Sequence, residues 1–248
     1  MGSFSLWQSA CTLGEGLLQL VYPNVCWICQ QRQAELHVGV CPACELSLTH
    51  DPFPTCPRCS STVGPYVHLT QGCATCKGES YAFDQALRLG PYDGLLRTTI
   101  LRMKTPGGVD LTEVVGALWA RQSAARLRDL RVDAVIPVPL HWTRRWRRGF
   151  NQSEILARAL AKDIGIRCRP SWLRRTHRTA PQTRQTPAQR RSNVHNAFQA
   201  RAGLDLNGQT VLLVDDVLTT GATAHEAARA LRRARPARII VAVLAHGR

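Results

Sequence analysis

From Val211 to Thr223 four apolar residues, two aspartates and a hydroxyl-rich turn with one glycine follow without interruption (Val-Leu-Leu-Val-Asp-Asp-Val-Leu-Thr-Thr-Gly-Ala-Thr). The apolar run suits a strand buried on both faces of a parallel sheet, and the good helix formers from Ala222 to Leu231 place a helix directly after the turn. The turn therefore lies at a strand's carboxyl end, where ligands of open α/β sheets collect. Backbone N–H groups of Leu218, Thr219, Thr220, Gly221, Ala222 and Thr223 can converge on a phosphate at the positive end of that helix, with Gly221 permitting close approach. The hydroxyls of Thr219, Thr220 and Thr223 add donors. Asp215 and Asp216 are acceptor-only when ionised and suit a ribose diol a few bonds from a 5′-phosphate. This order of groups describes a sugar phosphate.

Other segments supply the rest of an α/β domain from about Tyr81 onward. Phe83 to Leu89, Asp133 to Val138, Val211 to Val214 and Ile239 to Leu244 read as strands, and Gly94 to Lys104, Leu111 to Leu127 and Asn151 to Ile164 as helices. Proline cannot donate to a central ladder, so Ile136-Pro-Val-Pro-Leu140 ends its strand abruptly. Lys104-Thr-Pro-Gly-Gly108 sets a cation beside flexible backbone, a seat for pyrophosphate or, on spacing alone, a helix-end charge favoured by the dipole. Residues 174–193 hold two prolines and many Arg, Gln and Thr side chains, which predicts a long loop able to act as a lid. Near the start, Leu6, Trp7, Leu13, Leu17, Leu18, Leu20 and Val21 recur at helical spacing, so residues 1–22 are expected to form an amphipathic helix.

Eight of the ten cysteines form four C-x-x-C pairs: Cys26 with Cys29, Cys41 with Cys44, Cys56 with Cys59, and Cys73 with Cys76. Each pair puts two thiolates on one tight turn, at the separation of two corners of a tetrahedral zinc site. Two structural four-thiolate sites are expected within residues 23–80. Sequential and interleaved pairings both satisfy the ligand count, with the sequential one preferred. Large apolar residues are sparse there, so metal would replace a hydrophobic core. A closed four-thiolate site leaves no position for water, so the module is read as a scaffold or as a surface for another macromolecule. No secretory signal or membrane span is apparent, which points to the cytoplasm and reduced thiols.

The basic excess of +15 is local. Residues 121–201 hold 19 of the 32 Lys and Arg but 4 of the 17 Asp and Glu, leaving the remainder balanced at 13 each. Polyphosphate or nucleic acid is the natural partner. Within this region His141 to Gln152 reads as a mobile cationic segment in which Trp142, Trp146 and Phe150 are interspersed with Arg144, Arg145, Arg147 and Arg148. Guanidinium forks match phosphate oxygens and stack on bases, so these residues could hold a polyphosphate or a single strand. A solvated basic face with the aromatics turned inward is the alternative.

The Asp215 to Thr223 stretch resembles the phosphoribosyl-pyrophosphate (PRPP) signature of type I phosphoribosyltransferases. Together with Tyr92-Asp-Gly94, Leu101-Arg-Met-Lys104, Ile136-Pro-Val-Pro-Leu140, Arg148-Gly-Phe-Asn-Gln152, Arg191-Ser-Asn-Val194, Phe198 and the four cysteine pairs, it makes the chain similar to the ComF family, including its ComFC and GntX branches. The resemblance implies an open parallel sheet flanked by helices over residues 81–248, preceded by a double zinc ribbon. It further implies PRPP bound with Mg²⁺: Asp215 and Asp216 on the ribose, residues 218–223 on the 5′-phosphate, and Lys104, Arg144, Arg145 and Arg148 on pyrophosphate. A role in natural competence would follow, handling or using incoming single-stranded DNA. The alternative is a non-catalytic module for single-stranded DNA or a helicase partner. The acceptor, the nucleophile and the base are left unspecified. The paired cysteines and the opening Met1-Gly2-Ser3 do not match a glutamine-dependent amidophosphoribosyltransferase, which exposes an N-terminal cysteine.

Overall fold

The computed structural model describes residues 24–65, 69, 72–176 and 194–247, with the Arg144 side chain outside the description. The expected N-terminal helix and most of the expected lid, residues 177–193, lie outside the described residues. The chain divides into two compact units, one ending at Leu46 and the other running from Ser47.

The first unit carries two cysteine knuckles. Short antiparallel bridges join Val25 to Arg32 and His37 to Val40, and helix α1 (Pro42–Thr49) begins inside the second knuckle.

The second unit is built on four parallel strands, β1 (Gln85–Pro91), β2 (Ala134–Pro137), β5 (Thr210–Leu218) and β6 (Arg238–His246), in the order β1-β6-β5-β2. The two apolar runs read as buried strands occupy the middle of the sheet: Val211 to Val214 and Ile239 to Leu244 are buried along their whole length. Proline-bearing β2 lies at an edge, where a missing donor is tolerated. Helices α2 (Gly94–Met103) and α3 (Val109–Asp129) connect β1 to β2, and α5 (Gln152–Asp163) packs on β2, β5 and α3. On the other face, Val211, Leu213, Val241 and Val243 form one core with Ala224, Ala227, Ala228 and Leu231 of α6 (Ala222–Arg232). Small alanines let that helix sit close to the sheet. A two-stranded antiparallel ribbon, β3 (Leu173–Arg175) with β4 (Phe198–Ala200), adjoins α6.

Two expectations are corrected. The stretch read as a mobile cationic segment contains a short helix, α4 (Trp142–Arg148), with His141 as its N-cap and Gly149 as a left-handed C-cap at φ 85°. The expected loop does not start at Arg174, because Arg174 and Arg175 pair with Gln199 and Phe198. Among the described residues no helix is long and apolar enough to cross a membrane.

Candidate functional site

The carboxyl end of β5 delivers Asp215 and Asp216 beside the end of α2 and the start of α5. Lys104, the C-cap of α2, places Nζ 2.8 Å from Asp216 Oδ2. Burial drags the Lys104 pKa down, but Asp216 outweighs it and holds the ammonium above its ordinary range. The lysine is therefore a committed cation facing the acid pair, not a solvated helix-end charge.

Ser153, in the first turn of α5, donates its hydroxyl to Asp215 Oδ1 at 2.9 Å, and the Asp216 N–H donates to the same oxygen at 2.9 Å. Desolvation and then the Asp216 charge lift the Asp215 carboxyl from 3.8 to about 7, against the pull of these hydrogen bonds and of Lys104. Neighbouring acids on one strand end thus differ: Asp216 is paired with a lysine, while Asp215 is held near its titration point.

Leu218 completes β5, and the chain turns through Thr219, Thr220 and Gly221 into α6. Gly221 is the N-cap of α6 at φ 76°, a left-handed conformation that favours glycine. No side chain caps the helix there; the nearest substitute is Thr220 Oγ1, 3.4 Å from the Ala222 N–H. The start of this eleven-residue helix opens on a small concavity lined by Asp215 and Val217 to Ala224. A cleft of about 360 Å³, lined by Glu79, Ser80, Tyr81, His195, Thr220, Ala222, His225 and Glu226, abuts the turn. That cleft reaches neither aspartate, whereas the smaller concavity joins Asp215 to the whole turn, which marks the smaller one as the candidate site.

The cations expected on pyrophosphate separate. Arg148 is half-buried, donates to Gln152 Oε1 at 3.1 Å and feels the Asp216 charge, although burial and Arg147 lower its pKa overall. Arg145 points elsewhere, 3.8 Å from Glu154. Trp142 and Trp146, four residues apart on α4, are 71% and 87% exposed, so the aromatics do not turn inward. Arg145 and Arg147 are exposed on the same short helix, and Phe150 is half-buried beyond it.

The cysteines pair sequentially. Cys26, Cys29, Cys41 and Cys44 form one cluster and Cys56, Cys59, Cys73 and Cys76 another, with all four sulfurs of each within 4.8 Å of one another. In the second cluster Cys59 to Cys73, Cys56 to Cys76 and Cys73 to Cys76 are 3.5, 3.7 and 3.8 Å apart. A tetrahedron with Zn–S bonds of about 2.3 Å has edges of about 3.8 Å, so these three separations match those of a four-thiolate zinc site. Burial pushes the Cys26 thiol up, but N–H groups of Cys41, Cys29 and Ile28 outweigh it and bring the pKa down to about 7. Cys73 is likewise at about 7, through Cys59 and the Thr75 and Cys76 N–H groups. Each cluster thus holds a thiol ready to ionise onto a metal.

Ser153 and Tyr81 escaped the sequence reading. An alcohol opening a helix after Asn151-Gln152 and an aromatic just ahead of the first strand were the available signals, and neither shows its partner.

Residues 147–248 match the phosphoribosyl transferase domain family. Over 217 residues the chain is 31% identical to the DNA utilization protein YhgH of Escherichia coli O6:H1, covering 86% of this chain and 93% of that protein. It is 31% identical over 212 residues to competence protein F of Haemophilus influenzae, covering 83% and 90%. To competence protein ComFC of Bacillus subtilis it is 25% identical over 201 residues, 77% of each chain.

Proposed function

The chain belongs to the ComF family, and from that premise we propose that it binds PRPP with Mg²⁺ and serves the uptake or use of DNA, as the names of its relatives suggest. The carrying observation is the meeting of Asp215, Asp216, Lys104 and the Gly221 turn at one strand end. Asp216, with Asp215 behind it, takes the ribose hydroxyls. The N–H groups of residues 218–223 take the 5′-phosphate at the positive end of α6. Lys104 and Arg148 take the pyrophosphate, and Arg145, turned toward Glu154, stands apart from them.

In a pentosyl transfer these residues would act by charge. As the anomeric C–O bond breaks, the pyrophosphate gains negative charge that Lys104 and Arg148 offset, and the neighbouring acids favour the electron-poor sugar. Mg²⁺ would arrive on the pyrophosphate oxygens and supply further charge neutralisation there. Lys104 is already paired with Asp216, so ligand entry exchanges one partner for another rather than desolvating a lone ion.

One observation favours a second use of the same chain. Two exposed tryptophans beside exposed arginines make α4 a stacking platform for single-stranded DNA, delivered directly or by a helicase partner. Cysteines paired for zinc support a cytoplasmic location, where thiols stay reduced.

Isothermal titration of the zinc-loaded protein with PRPP and Mg²⁺ tests the first reading. Binding that weakens at least tenfold in Lys104→Met and Asp216→Asn supports it; folded protein that releases no heat with PRPP at millimolar concentration overturns it.

A further inference from the structure

The phosphate turn does not stand on its own strand and helix alone. A Cβ on Gly221 would fall 2.8 Å from Tyr81 Cε1 and 3.3 Å from Cζ, so the tyrosine ring lies directly against the glycine of the turn. That ring is clamped. It stacks on Phe83 with centroids 4.6 Å apart and planes 12° from parallel, and the Arg58 guanidinium lies 5.7 Å from its centroid.

Arg58 sits inside the first knuckle of the second cysteine cluster, between Cys56 and Cys59. Its NH1 donates to the Cys76 carbonyl at 2.9 Å and its NH2 to the Glu79 carbonyl at 2.5 Å, tying the two knuckles together. Its own carbonyl accepts from the Ala86 N–H of β1 at 2.9 Å. A separate route leaves Cys59. Its sulfur is 3.3 Å from Ser61 Oγ, which lies 3.3 Å from His246 Nε2. His246 is in register with Leu218, the first residue of the turn, and the Gly247 N–H donates to the Leu218 carbonyl at 2.8 Å. A third contact reaches the helix: the Ala82 N–H donates to His225 Nδ1, in the first turn of α6, at 3.1 Å.

We infer that the Cys56, Cys59, Cys73 and Cys76 centre is a positioning element of the phosphate turn, acting through Tyr81, so that zinc in this cluster and a phosphate ester in the turn strengthen each other's binding. The inference rests on the reading of residues 218–223 as the 5′-phosphate seat. Metal fixes the two knuckles, the knuckles fix Arg58, and Arg58 with Phe83 fixes the ring that bears on Gly221. Without metal the four thiols have no reason to remain clustered, and the ring loses one side of its clamp. Coupling of this kind is reciprocal: whatever factor zinc adds to phosphate-ester affinity, the ester adds to zinc affinity.

The experiment uses the full chain loaded with two zinc ions and two probes, ribose 5-phosphate and Mg²⁺-pyrophosphate, each titrated calorimetrically. Tyr81→Ala is expected to weaken ribose 5-phosphate at least tenfold while leaving pyrophosphate within twofold; Tyr81→Phe, which keeps the ring, should bind both as the natural chain does. Arg58→Gln should repeat the selective loss with a ring still present, and it serves if Tyr81→Ala does not fold. In a chelator competition, saturating ribose 5-phosphate should tighten one of the two zinc ions at least threefold, and Tyr81→Ala should abolish that gain. Unchanged ribose 5-phosphate binding in folded Tyr81→Ala and Arg58→Gln, or zinc affinity indifferent to the ester, overturns the inference while leaving the PRPP reading intact. Absence of ribose 5-phosphate binding to the natural chain instead sinks the seat itself, and the inference with it.

Discussion

Replacing Asp215 by asparagine should stabilise the protein at alkaline pH while costing it PRPP. The Asp215 carboxyl titrates at about 7 instead of 3.8, because desolvation and the adjacent Asp216 charge oppose its ionisation. At 1.36 kcal/mol per unit, a gap of about three units sets a ceiling of about 4 kcal/mol on the cost of ionising it in the folded chain. Between about pH 4 and pH 7 the folded state holds more protons than the unfolded one, so stability falls as pH rises through that window and the full cost persists above it. Asparagine keeps an acceptor for Ser153 Oγ–H and the Asp216 N–H but never ionises. Only part of that window lies above pH 5.5, so about half the ceiling is expected: the stability advantage of Asp215→Asn should grow by about 1–2 kcal/mol from pH 5.5 to pH 8. Urea unfolding of both proteins with zinc saturating at each pH measures it, since the metal contribution cancels in the difference. The same variant should bind PRPP at least tenfold more weakly, a trade of function for stability. A difference that is flat with pH, or one that turns against asparagine as pH rises, would refute the argument that this carboxyl is held against its charge.

Gly221→Ala should lose about 1–3 kcal/mol in thermal unfolding, since a φ of 76° is costly for alanine and its methyl would meet the Tyr81 ring at 2.8 Å. Cys44→Ser and Cys59→Ser should each lower bound zinc from two ions per chain to one by elemental analysis; loss of both ions from either change would contradict the sequential clusters. Trp146→Ala should weaken single-stranded oligonucleotide binding by about 1–3 kcal/mol at fixed salt. Arg145→Ala with Arg147→Ala should flatten the salt dependence of that binding by about 1.4 in log–log slope, read by fluorescence anisotropy, and an unaltered slope would remove α4 from the DNA path.

How much of this was legible in the chain follows from how local each device is. The strand, acid pair and turn of residues 211–223 were readable because one short segment carries the burial pattern, the acids, the glycine and the helix start. The cysteine clusters were readable for the same reason: each ligand pair is closed by its own tight turn. Helix α4 was misread because its four arginines dominate the composition, while what holds it is a histidine N-cap and a left-handed glycine at Gly149. The partners of the site lay beyond any window. Ser153 meets Asp215 across 62 positions, Lys104 meets Asp216 across 112, and Tyr81 meets Gly221 across 140. Yet these distances share one cause. A parallel sheet requires long crossovers, and each crossover returns the chain so that strand carboxyl ends and the helix ends beside them meet on one side. The acids had to be placed on β5 by the local sequence; their lysine and serine could be supplied by any crossover that ends or begins a helix at that level, which is where α2 ends and α5 begins.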